Sequence, residues 1–594
     1  MGHFKLNEKD LFFILKDQLN YGSLCGLQRY RELDEDTLDM LVQEAIKFTR
    51  GVVEPLQEVG EQWGVVFEDG QVRCAPEFKE AFKLYGETGW TAAARDPEYG
   101  GQGFPHMMRI VINDLMYGAS QSFNMAPSLT HGAAHLIESF ATPELKEQFI
   151  PRMFSGDWAG TMALTEPDAG SNLAAIRATA VRIGDRFKIK GNKIFISWGD
   201  HDLAENIIHL VLARVEGAPE GIKGISLFIV PKFRVLPDGS VGEPNDVICS
   251  GVEKKLGLHA SPTCALNFGD NDGCEGYLCG EENRGLAHMF QMMNAARINT
   301  GVSGMTLASN AYHNALAYTM ERIQGAEVTR RKPGSIPIIG HPDVRRMLLW
   351  MKAMVDGMRS MIYTGAFWSD LALEMEEGEE KANYQALVEF MTPIIKAYCS
   401  DMGFRVCETA IQCLGGYGFS KEYPLEQYLR DAKIMSLYEG TNGIQSMDLL
   451  GRKMRIHDGA YFKAFMGKIE SFCTENRDHD TLGGEVEALS NAAEKLVRVA
   501  EEMSKRSKTD TLQWASYTYP ALLCFGDVTV TWRLLDMAVI SGKIIDEKGE
   551  NDYCRGKIMQ ATYFAGVTLP ITLARLDTCL RNGREIVEMP EGAF

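Results

Sequence analysis

The chain has 594 residues, more than one hydrophobic core organises, so several domains or lobes are expected. Hydrophobic residues make up 45% and charged residues 24%, the balance of a globular protein and not of a disordered or fibrous one. A formal net charge of -19 opposes broad attraction to nucleic-acid phosphates or anionic lipid.

The opening Met1-Gly2-His3-Phe4-Lys5 segment has no apolar signal-peptide core and is soon followed by acidic residues, which predicts a cytoplasmic protein. From residue 36 the apolar positions Leu38, Leu41, Ala45, Ile46 and Phe48 follow helical spacing. An N-terminal helical domain with its leading extension is expected over residues 1–159. Pro97 to Pro105 interrupts it with five turn formers and reads as a loop between helices. Between residues 160 and 284 the pattern changes to short runs rich in β-branched residues, including 187–190, 207–212 and 225–230. Turns are expected at Gly184-Asp185 and Lys190-Gly191-Asn192, and Pro231 should stop the third run. This is a central β domain.

Helical spacing returns over residues 285–455, with breaks at Lys332-Pro333-Gly334, Gly378 and Gly415-Gly416, and predicts a helical bundle. Arg330-Arg331-Lys332 reads as a solvated loop. Residues 456–594 form an additional C-terminal helical domain, in which Leu489, Ala492, Ala493, Leu496, Ala500 and Met503 make one apolar packing stripe. The most apolar stretch there, 522–540, is interrupted by Asp527, Arg533 and Asp536, so no membrane span is expected. The fold class is α+β. The 13 cysteines are odd in number and scattered, and even the closest pair, Cys274 and Cys279, has no companion ligands, so neither a disulfide framework nor a metal site is expected.

Three segments carry candidate chemistry: Leu164-Thr165-Glu166-Pro167-Asp168-Ala169-Gly170-Ser171-Asn172, Gln412-Cys413-Leu414-Gly415-Gly416-Tyr417-Gly418-Phe419, and Leu437-Tyr438-Glu439-Gly440-Thr441-Asn442-Gly443. The last puts one carboxylate beside a glycine that lets backbone approach a ligand. In order and separation the three resemble the acyl-CoA dehydrogenases, over about residues 40–455. The extension beyond resembles that of longer members, including the long-chain and 3-methylmercaptopropionyl-CoA dehydrogenases.

The resemblance implies helical, β and helical domains in that order, an FAD cofactor, and α,β-dehydrogenation of an acyl-CoA thioester to the trans-2-enoyl-CoA. Electrons would pass to electron-transfer flavoprotein. Such chemistry needs a base for the α-proton and a hydride acceptor, which no side chain supplies and a flavin does. Glu439 is the expected base; an ordinary carboxylate is weak toward a carbon acid, so burial should raise its pKa. Its backbone N–H and the flavin's ribityl chain are expected to bind the thioester oxygen. Met162, Leu164 and Thr165 would line the flavin, and Ser171 would contact flavin phosphate or pantetheine. Phe195-Ile196-Ser197 stands where relatives carry Trp-Ile-Thr: Phe195 would pack on the flavin, Ser197 would place a hydroxyl near it, and Trp198 is expected to take part of the missing indole's role. Gln412, Gly415, Gly416 and Arg322 would meet the cofactor's pyrophosphate and adenosine end across a dimer interface, with Gln324 replacing a common phenylalanine. Thr441 would touch flavin, while Gly443 replaces a common glutamine. Tyr438, Glu439 and Gly440 would line the substrate, and Arg297 would stand near CoA or in a buried support network, the support role being favoured. A homodimer is expected. An acyl-CoA oxidase, using the same glutamate, and a DNA-binding flavoprotein on the same scaffold are the alternatives.

Overall fold

A computed structural model gives the fold and describes residues 3–331 and 333–594; Met1, Gly2 and Lys332 of the basic loop lie outside the described residues. The chain divides into two compact units, 39–296 and 1–38 with 297–594.

The unit 39–296 joins helices to a mixed sheet of eight strands. Along the sheet the order is Val247–Val252, Thr263–Phe268, Arg186–Ser197, Glu275–Leu278, Ile225–Pro231, Asn206–Val215 and Trp158–Ala163, with Thr179–Ile183 paired to both Arg186–Ser197 and Asn206–Val215. The period of two places successive side chains on opposite faces. Ile208, Leu210 and Leu212 join Leu227, Ile229, Ala133, Ile137 and Phe149 in one apolar cluster, whereas Val211, Ala213, Phe228 and Val230 join Phe187, Ile189 and Ile196 in another. Both faces are covered, which explains the continuous apolar runs. The helix Gln121–Phe140 approaches the strand Trp158–Ala163 so closely that a Cβ on Gly160 would lie 2.7 Å from Ala133 Cβ, and the Gly160 N–H donates to Thr130 Oγ1 at 3.0 Å.

The turn expected at Lys190-Gly191-Asn192 is not one: these residues continue the twelve-residue strand Arg186–Ser197. Gly191 is there because the strand passes Ala178, whose Cβ would lie 2.7 Å from a Cβ at 191. Pro231 ends its strand, as expected.

In the second unit the helices Pro342–Glu374 and Glu379–Leu414 pack on each other and on Thr511–Lys548, the first also on Asp552–Cys579 and the second on Ala460–Glu475, while Gly483–Thr509 packs on these three C-terminal helices. All six residues of the 489–503 stripe are buried. The C-terminal helices are tied to the bundle by polar contacts too. Tyr398 Oη donates to Asp527 Oδ1 at 2.7 Å, and Ser446 Oγ and Thr518 Oγ1 are hydrogen-bonded at 3.0 Å.

The leading extension, expected beside the N-terminal helices, belongs instead to this second unit. The cause is a buried charge cluster: Asp10 faces Lys352 (3.2 Å) and Lys557 (2.7 Å), and Asp356 faces the same two lysines at 3.1 and 2.8 Å. Tyr30 Oη adds a buried bond to Asp370 at 2.7 Å. Among the described residues no helix is long and apolar enough to cross a membrane, and no group of three His, Cys, Asp or Glu side chains is placed to hold a metal ion.

Candidate active site

Glu439 lies in the turn between Leu437 and the short helix Asn442–Met447 and has φ +57°, a left-handed conformation uncommon for a residue with a Cβ. Gly440 follows at φ +82°, and a Cβ there would lie 2.6 Å from Gln445 Nε2. Glycine is thus required both for the conformation and for the room. Thr441 N-caps the helix, its Oγ1 accepting the Ile444 N–H at 3.3 Å. Gln445 Nε2 donates to the Glu439 carbonyl at 3.1 Å. These bonds hold the turn open on the Glu439 side, where its N–H makes no hydrogen bond to another described residue.

Burial pushes the Glu439 carboxyl above the ordinary range, opposed by the positive charges of Arg297 and Lys396. Arg297 is buried and faces Asp448 at 3.7 Å; a Cβ on Gly440 would be 3.9 Å from its Nη2. The structure therefore brings Tyr438, Glu439, Gly440, Thr441 and Arg297 together. Tyr438 is half-buried, with its hydroxyl donating to Met435 Sδ at 3.0 Å.

A second group in the same unit gathers on an exposed surface. Gln412, Gly415, Gly416 and Arg322 are all exposed, and the Arg322 guanidinium lies 5.9 Å from the centre of the Tyr417 ring. No atom comes within 4 Å of a Cβ built on Gly415 or Gly416, so bare backbone is open to a ligand.

In the unit 39–296, Leu164 and Thr165 follow the strand that carries Met162, and the Ile194 N–H donates to the Thr165 carbonyl at 2.9 Å, setting this segment beside Phe195 and Ser197. Phe195 has φ +57° and its side chain is 60% exposed, an unusual cost in both backbone and hydration for an aromatic ring. Ser197 is half-buried, and Ser171 is exposed in the turn after Thr165. Trp198 does not share the role expected for it. Its ring is buried, its indole N–H donates to the Ser122 carbonyl at 3.1 Å, and it packs beside Phe78 and His201. Two positive φ values, at 195 and 198, turn Phe195 outward and Trp198 inward.

Two buried lysines that the motifs do not contain support these segments. Lys193 donates to the Leu164 carbonyl (2.9 Å) and pairs with Glu166 (2.8 Å), whose other bonds come from the Arg177 and Ala178 amides. Lys396 donates to the Gly440 carbonyl (2.7 Å) and to Asn442 Oδ1 (2.9 Å). Lys396 has one sequence signal, a single charge set in an apolar run, whereas Lys193, after Lys190, Gly191 and Asn192, has none.

In the unit 39–296 an open aromatic ring lies beside half-buried hydroxyls; in the other unit bare glycine backbone lies near an arginine, and a carboxylate carries a raised pKa; each set by itself has the chemistry to meet part of a flavin dinucleotide. Family models match nearly the whole chain: acyl-CoA dehydrogenase N-terminal domain over 35–157, middle domain over 161–271, C-terminal domain over 283–454, and acetyl-CoA dehydrogenase C-terminal like over 465–590. A butyryl-CoA dehydrogenase of Syntrophomonas wolfei is 36% identical over 99% of this chain and 98% of its own, and a 3-methylmercaptopropionyl-CoA dehydrogenase of Ruegeria pomeroyi is 35% identical over 94% of each. An acyl-CoA dehydrogenase from Bacillus anthracis, solved with FAD, has the same fold with a TM-score of 0.73 at 22% identity, covering 94% of this chain and 91% of that one. The chain belongs to the acyl-CoA dehydrogenase family of oxidoreductases, whose cofactor is FAD.

Proposed function

We propose that this protein removes the α-proton and β-hydride of a saturated acyl-CoA thioester, giving the trans-2-enoyl-CoA, and that it passes the electrons to an electron-transfer flavoprotein. The observation that carries the proposal is Glu439, a carboxylate of raised pKa on a left-handed turn beside bare glycine backbone. Raised basicity matches a general base to a weak carbon acid. Glu439 takes the α-proton, and its own N–H is the donor for the thioester oxygen as negative charge develops there. Tyr438 and Gly440 border the same space, and Arg297 supports the base from behind rather than contacting CoA. Bound FAD supplies the hydride acceptor. Met162, Leu164, Thr165, Ser171, Phe195, Ser197 and Thr441 would hold it, with Gln412, Gly415, Gly416 and Arg322 serving its phosphate and adenosine end. The exposure of that last group supports a homodimer in which a second copy covers it.

Relatives named for butyryl-CoA and 3-methylmercaptopropionyl-CoA make a short acyl group the first substrate to test. Anaerobic mixing of the FAD-loaded protein with butyryl-CoA and other saturated thioesters should bleach the flavin and yield the enoyl-CoA. A fully loaded protein that no thioester bleaches would overturn the proposal. Reoxidation by electron-transfer flavoprotein, much faster than by air, is the expected second half-reaction; the reverse order would identify an oxidase.

A further inference from the structure

Lys396 lies inside the apolar run Ile394-Ile395-Lys396-Ala397 of the helix Glu379–Leu414 and is fully buried. Besides its bonds to the Gly440 carbonyl and Asn442 Oδ1, the same helical turn grips Asn442 from its other side. Asn442 Nδ2 donates to the Ala397 carbonyl at 3.2 Å and to Ser400 Oγ at 3.0 Å. With Gln445 on the Glu439 carbonyl, the carbonyls of two consecutive left-handed residues are both fixed by buried donors.

Both acceptors of the Lys396 ammonium are neutral, and a neutral donor would satisfy them without the desolvation cost of a buried cation. Burial pushes this lysine down to about 7, Glu439 and Asp401 draw it upward, and Arg297 opposes them. The costly charge therefore stands where it acts on Glu439. We propose that Lys396 is a positioning residue for the dehydrogenation: its ammonium fixes the Glu439–Gly440 turn and adds a positive charge, second to that of Arg297, near the Glu439 carboxyl. This rests on Glu439 being the base. The other charged groups facing the pair are Arg297, itself beside Asp448, Arg452 and Glu389, and Asp401, whose carboxylate accepts from Tyr519 Oη.

A nearby cation favours a carboxylate, so removing it raises the Glu439 pKa. The base works only when ionised, and the acid limb of kcat/KM must then move to higher pH. The experiment compares the FAD-loaded parent with Lys396→Met, Lys396→Gln and Lys396→Arg, scoring FAD content, kcat and KM separately, and the pH profile with a saturated acyl-CoA. For Met and Gln the acid limb should rise by about one pH unit, as loss of a close opposite charge does, with kcat falling about tenfold and more than KM changes. Arg should keep the parent limb. If Met yields no folded holoprotein, Gln decides by the same profile. A neutral variant with the parent limb and kcat, or an Arg variant displaced as far as Gln, would overturn the inference. Glu439→Gln is measured in parallel: if it reduces its flavin at the parent rate, the assignment of the base itself fails, whatever Lys396 does.

Discussion

Replacing Gly440 by alanine tests whether the proposed catalytic turn depends on its geometry. At φ +82° an alanine costs about 1–2 kcal/mol relative to glycine. Its Cβ would also meet Gln445 Nε2 at 2.6 Å, so the amide must withdraw and its 3.1 Å bond to the Glu439 carbonyl is lost, at about 1 kcal/mol for a neutral pair. The sum, about 2–3 kcal/mol, is local, and the turn sheds it by relaxing away from the left-handed conformation. Glu439 moves with it. Misplacement of a reacting group by about 1 Å costs on the order of 100-fold in rate. Thermal unfolding and anaerobic flavin reduction should be measured on the same FAD-loaded preparation. The expected result is an unfolding midpoint lowered by at most about 4–12 °C, since about 2–4 °C accompany each kcal/mol in a domain of about 150–250 residues, together with at least a tenfold slower reduction. Reduction at the parent rate would refute the argument that this turn positions the base.

Phe195→Gly should leave the apoprotein as stable or slightly more so, because it relieves a left-handed aromatic residue with an exposed ring, yet retain FAD less well; unfolding of apoprotein and FAD retention on dilution read the two effects. Lys557→Met leaves Asp10 and Asp356 sharing one lysine and should cost about 3–5 kcal/mol in denaturant unfolding, the usual penalty for breaking a buried pair. His201 and His209 are buried, with pKa values pushed down to about 3, while the unfolded chain titrates near 6.5. Below 6.5 the unfolded state binds more protons, so stability is full above that pH and lost as pH falls. Between pH 6.5 and 5.5 the two together should remove about 2 kcal/mol, whereas a flat denaturation midpoint over that range would contradict their neutral burial.

The fold was legible where the pattern is local. Alternation and continuous β-branched runs located the sheet, and a helical stripe located the buried face of the 483–509 helix. The turn proposed to carry the base was legible because its residues are contiguous: glutamate, glycine and a capping threonine adjoin in the chain. What escaped depends on contacts between distant residues. Gly191 reads as a turn until Ala178 is set against it. Trp198 reads as a neighbour for the cofactor until the backbone at 195 and 198 decides which ring faces inward. The leading extension follows the chain into the N-terminal helices on paper, but Asp10 is claimed by lysines more than 300 residues away. Lys193 and Lys396 belong to the same class, since no spacing within a strand or helix announces the carbonyl it will bind.

The most direct measurement is anaerobic flavin reduction by a saturated acyl-CoA in Glu439→Gln, once FAD content has been matched to the parent. The amide keeps the shape and the backbone donor but takes no proton. Loss of a positioned general base removes about two to four orders of magnitude in rate, and that is the predicted result. Reduction close to the parent rate would show that another residue takes the α-proton and would contradict the central claim.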